Sequence, residues 1–200
     1  MYRFFAIFAF IITLVFALSC TKSVTEPVVT GGTVQIMTVT DLPADTAAKG
    51  NFTFFSFKNN AIVQRTDSNT AKWDIAFAAT KIITNDGVRG PGLGGAIVLM
   101  NTDFTSLKKA PDTTYATEQS LTQTAIMTGS GNGWYNYDPN AHIISPIPGN
   151  VLIIKCADGK FAKLVILSYY KGAPAVITDS SISKYYKFQF GYQGDGTKNF

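Results

Sequence analysis

One histidine, His142, and two cysteines, Cys20 and Cys156, are all the chain offers of the side chains that most often hold metals or drive nucleophilic chemistry. One histidine excludes a multi-histidine zinc site. Nothing resembles a nucleophile elbow, and no orienting carboxylate is spaced to make His142 a general base. Catalysis has no support in the residues, so an enzyme is not expected. Charged residues are also scarce, at 15%. The net charge of +4 is scattered, with no basic run longer than Lys108-Lys109. That pattern excludes a nucleic-acid stripe. Long apolar runs occur once, at the start, and no later segment shows a long capped helical periodicity.

The opening "MYRFFAIFAFIITLVFALSC" reads as an export signal rather than as fold. Arg3 precedes an apolar run of about 15 residues, short of the roughly 20 that a membrane span requires. A small residue before Cys20 suits lipoprotein processing, with Cys20 as the lipidated N-terminus. Ala17 stands where leucine is usual, and Leu18 one place later, so cleavage after Ser19 by an ordinary signal peptidase is the other reading. The expected organisation is a signal peptide over residues 1–19, a lipidated Pro/Gly-punctuated tether over 20–32, and one β domain over 33–200. A lipidated Cys20 leaves Cys156 without a partner. Set in the apolar "VLIIKCADG", Cys156 is expected to be a buried, inert thiol.

The rest of the chain is written in short strands. "TVQIMTVTDL" (33–42) is rich in β-branched residues. "FTFFSF" (52–57) turns Phe52 and Phe54, with Phe55 a further candidate, towards a core. "KWDIAFAATKIIT" (72–84) alternates, with Trp73, Ile75 and Phe77 on one face. "GGAIVLM" (94–100) follows, with Met100 expected in the core. "NVLIIKC" and "FAKLVILSYY" flank "ADGK", where Asp158-Gly159 marks a hairpin. "KYYKFQFGYQ" (184–193) sets Tyr186, Phe188, Phe190 and Tyr192 against Tyr185, Lys187, Gln189 and Gly191. Residues 114–127 are the best helical candidate, a weak one. "GPGLGG" (90–95) lacks the Lys-Ser/Thr of a phosphate cradle and reads as a flexible loop. The fold class expected is all-β or mainly β: an antiparallel, sandwich-like single domain.

Read together, "KWDIAF", "IITNDG" with its glycine loop, "DFTSLKKAP", the W-x-x-Y segment, "PGNVLIIKCADGKFAKLVILSYYK" and "YYKFQFGYQGDG" resemble the HmuY family of bacterial haem-binding lipoproteins. The resemblance spans residues 52–196. It implies a β-rich fold closing on haem, an outer-membrane or cell-surface location by lipid anchor or release from it, and delivery to an outer-membrane haem receptor. The haem would come free or from a haem-carrying protein. No Cys-x-x-Cys-His is present, so it would be held non-covalently. Family members differ in axial ligands, some using two histidines and others two methionines, so none is copied by position. The donors available are His142 and Met127, with Met100 a further candidate. Trp134, Tyr135 and Tyr137 would line the porphyrin, or else alternate across a strand with Trp134 in the core. The alternative function is a surface lipoprotein of the same fold that binds a glycan or a protein partner and not haem.

Overall fold

Alternating apolar residues in the described chain build two antiparallel sheets whose inner faces meet. The structure, a computed structural model, describes residues 34–200, which lie in one compact unit. The signal, Cys20 and the tether fall outside the described residues. The strands are β1 (Ile36–Pro43), β2 (Thr53–Ser56), β3 (Ala61–Val63), β4 (Ile75–Ala78), β5 (Lys81–Thr84), β6 (Gly95–Leu99), β7 (Tyr135–Asp138), β8 (Ile143–Pro146), β9 (Val151–Lys155), β10 (Phe161–Tyr170) and β11 (Ser183–Gln193). They form a five-stranded sheet in the order β1-β11-β10-β9-β6, a four-stranded sheet β3-β2-β4-β5, and a separate two-stranded hairpin β7-β8.

The all-β expectation holds, and so do the strongest strand readings. β9 and β10 pair across the Asp158-Gly159 turn, where Gly159 has a φ of 82°. On β11, Tyr186, Phe188 and Phe190 are buried between the sheets. There Phe188 stacks on Phe77 at 5.6 Å and meets the edge of Phe55 at 5.4 Å. Both sheets also bury apolar residues on their outer faces. Phe54, Trp73, Ala76 and Ile83 cluster outside the four-stranded sheet. Val151, Ile153 and Phe161 cluster outside the five-stranded one, beneath Phe104 and Ala110. Trp73 therefore serves a different cluster from Ile75 and Phe77. It precedes the strand rather than extending it. Cys156 is a fully buried free thiol, as expected.

Three readings are corrected. The run 72–84 is two strands, because the chain reverses at Ala79 and Thr80, with Ala79 at a φ of 48°. No Gly, Pro, Asn or Asp marks that turn. It is held from a distance: the Tyr186 hydroxyl donates to the Ala79 carbonyl at 2.8 Å, and the Trp134 indole N–H donates to Thr80 at 2.9 Å. Residues 114–127 form no helix. Ala116 bridges to Ala96, and Glu118 Oε1 accepts the N–H groups of Thr84 and Ala125, each at 3.1 Å, which draws the segment out along the sheet. Met100 is not core but 71% exposed, because the strand ends at Leu99. The glycine stretch 90–95 is a loop, yet a tethered one. Asn85 accepts the N–H of Gly92 through its side chain and that of Gly94 through its carbonyl, while Leu93 donates to Ala157. The amides that a phosphate would need are already taken.

Candidate functional site

The β7-β8 hairpin presents the histidine. Tyr135 pairs with Pro146 and Asp138 with Ile143, leaving Pro139, Asn140, Ala141 and His142 as the tip. The tip is shaped by Asp138, whose Oδ1 accepts the N–H groups of Asn140 at 2.8 Å and Ala141 at 3.2 Å. An aspartate that bonds its own downstream backbone is a general turn device. His142 closes the turn at a φ of 53° and is exposed. His142 thus stands at the tip of a hairpin whose second strand is β8.

The same turn brings residues five apart into contact. Tyr137 Oη lies 2.7 Å from His142 Nδ1, with the two ring centroids 6.3 Å apart. Among the described residues Nε2 makes no hydrogen bond. When Nδ1 carries the proton and donates it to the tyrosine oxygen, Nε2 keeps a free lone pair in a fixed direction. Fixing one ring nitrogen to orient the other is how proteins prepare an imidazole to ligate a metal.

Beside the tip lies a cavity of about 360 Å³, near the low end for small-molecule sites. Its walls include His142, Ile144, Tyr170, Ile177 and Lys184. The Tyr170 hydroxyl accepts the Ile144 N–H at 3.0 Å and so ties the hairpin to β10. Neighbouring Tyr169 is buried, and that burial pushes its phenol well above the ordinary range, so it stays protonated.

The expected site residues divide. Tyr137 and His142 come together. Trp134, 2% exposed, and Tyr135 pack into the main core, where Trp134 meets Tyr186 at 5.1 Å and Tyr169 at 5.7 Å. Of the three rings before His142, only Tyr137 faces solvent, at 41% exposure. Met127 is 61% exposed, on the loop whose backbone packs against Gly133: a Cβ on Gly133 would stand 2.3 Å from the Met127 carbonyl. Neither Met127 nor Met100 lines the His142 cavity.

The sequence reading missed the Tyr137 hydroxyl as the partner of His142. The signal was present, since Asp138-Pro139-Asn140 is a turn and a turn places its flanks side by side. Tyr170, Ile177 and Lys184 carried no such signal, because they arrive from a distant part of the chain.

Comparisons with known proteins agree with this architecture. The family model described as HmuY protein matches residues 48–190, which contain β2 to β10 and most of β11. No curated protein matches the chain. Among solved structures it is similar to apo PinO from Porphyromonas gingivitis, at 14% identity and a TM-score of 0.55, covering 80% of this chain and 98% of that one. It is also similar to an apo HmuY analog from Tannerella forsythia, at 15% identity and a TM-score of 0.52, with 80% and 98% covered. A proposed HmuY-like heme binding protein from Bacteroides vulgatus matches at 16% identity and a TM-score of 0.51, with 80% and 93% covered. At such identities the structural likeness is one of fold. The family match, covering most of the domain, decides the assignment: this chain belongs to the HmuY family.

Proposed function

We propose that the protein is a haem-binding lipoprotein of the haemophore type. It is exported, anchored through Cys20 at the outer membrane or cell surface or released from it, and passes haem to an outer-membrane receptor. The observation that carries this reading is the His142–Tyr137 contact, which leaves an exposed imidazole nitrogen oriented and unbonded. A bound haem would supply an iron centre, for which imidazole and thioether are suitable donors. His142 would hold the iron from the hairpin tip, and Met127, exposed on a glycine-flanked loop outside the His142 cavity, is the proposed second donor. Tyr137 offers an exposed ring next to the imidazole, Ile144 and Ile177 offer apolar surface, and Lys184 offers a cation suited to a propionate. Trp134 and Tyr135 act beneath the site, holding the hairpin root in the core.

The test is a haemin titration of the purified protein. A saturable Soret shift with low-spin bands is expected, and His142→Ala should weaken binding and lose those bands while the far-UV circular dichroism stays the same. Spectra of free haemin throughout the wild-type titration would sink the reading in favour of a surface lipoprotein that does not bind haem. Wild-type spectrum and affinity in His142→Ala would remove His142 as a ligand and move the search to Met127 and Met100.

A further inference from the structure

The outer side of the five-stranded sheet carries a second cavity, of about 450 Å³, which shares no lining residue with the one beside His142. Strand alternation sets its base. Along β9, Val151 and Ile153 join the outer cluster while Leu152 and Ile154 enter the core between the sheets, so Lys155 follows on the outer side. Its registered neighbours are Phe161 on β10 and Gly95 on β6. Gly95 leaves a gap in the sheet surface, and Tyr115 occupies it: a Cβ on Gly95 would stand 3.1 Å from the Tyr115 Cβ. Tyr115 in turn tilts against Phe161 with ring centroids 5.4 Å apart. Two aromatic rings therefore wall the cleft next to a lysine.

Lys155 is half-buried and makes no ion pair among the described residues. The other cation on the wall, Lys198, is engaged with Asp112 at 2.8 Å. Thr113 and Thr114 bring hydroxyls to the exposed rim. Asp86 also lines the cleft but is turned to the protein, accepting the N–H groups of Val88 and Glu118. A half-buried lysine without a counter-charge favours an anionic group. A bare phosphate would leave the aromatic wall unused, and the glycine-loop amides are already bonded. A ring with an apolar face, several hydroxyls and one acid uses every wall.

We infer that this cavity binds a carboxylate-bearing saccharide, its acid on Lys155, its ring against Tyr115 and its hydroxyls at Thr113 and Thr114. This site is independent of haem binding. The test is calorimetric titration of the purified protein with glucuronate and with N-acetylneuraminate, using glucose as the neutral control. At least one acid sugar should bind saturably and more tightly than glucose. Binding should weaken at least tenfold in Lys155→Met and recover in Lys155→Arg, with haemin titration unchanged in both. Absence of saturable binding by either acid sugar overturns the proposal. So does equal binding by wild type and Lys155→Met. Should Lys155→Met melt early, Thr114→Val serves as the second variant: weakened binding there supports the proposal, and undiminished binding overturns it.

Discussion

A single hydroxyl decides how the only histidine is held. Tyr137 is exposed and contributes little to the core, so Tyr137→Phe should leave the melting temperature unchanged. It removes the group that fixes Nδ1. Outer partners of ligating histidines typically matter by about 10- to 100-fold in metal affinity. Tyr137→Phe is therefore expected to weaken haem binding within that range, measured by haemin titration, while retaining low-spin bands. Unchanged affinity would show that the imidazole orients without help. Met100 teaches a related point about single residues. It continues an apolar run and reads as core, but the pairing of Leu99 with Val151 is the last of its strand, and the next side chain leaves the sheet. Where a ladder stops is a tertiary fact that the run of apolar letters does not contain.

Elements were legible in proportion to how locally they are specified. The β9-β10 hairpin carries its own turn signal, and β11 carries its own alternation, so both could be read directly. The β4-β5 turn could not, because its fixing groups, Tyr186 and Trp134, lie far along the chain. The hairpin at Gly159 permits a direct check. Its φ of 82° suits glycine, and an added Cβ would meet Leu93 Cδ1 at 3.4 Å. Gly159→Val should cost about 1–2 kcal/mol from the left-handed backbone, a fall of roughly 2–8 °C in melting temperature for a domain of this size. An unchanged melt would mean that the turn relaxes to another form. Of the candidate site, the sequence disclosed His142 and its flanking ring. The cavity walls from β10 and from the segment before β11 were invisible, since only the folded sheets bring them near.

At the scale of the whole domain, one buried carboxylate ties the sheets together. Asp74 Oδ2 accepts the Phe57 N–H at 2.8 Å, next to the four-stranded sheet. Its Oδ1 accepts the Ala157 N–H at 3.1 Å, at the end of the five-stranded one. Burial raises its pKa to about 6, outweighing the two N–H groups that favour the charged form. Because the folded pKa lies above the unfolded one, this contribution is fully present below about pH 4 and lost as pH rises through about 6. The wild type should therefore gain stability relative to Asp74→Asn as pH falls from 7.5 to 5, by at most about 1.5 kcal/mol. Urea denaturation at the two pH values measures it, and a difference independent of pH would refute the assignment. The anchor is a separate property of the whole chain. If Cys20 carries the proposed lipid, Cys20→Ala should move the protein from the detergent phase to the aqueous phase in a phase-partition assay. A mature N-terminus carrying no acyl mass on Cys20 by mass spectrometry would exclude lipidation there.

The β7-β8 hairpin belongs to neither large sheet. Its root is locked by Trp134 and its second strand is tied by Tyr170 at Ile144, whereas its tip, from Pro139 to His142, packs against nothing in the core. Foundation and instrument are thus separable. A substitution at the tip would cost the fold almost nothing, so on the proposed haem-binding reading different donors could be tried there while the barrier to unfolding stayed where it was. A scaffold arranged in this way lets selection tune the ligand and the stability as two nearly independent traits.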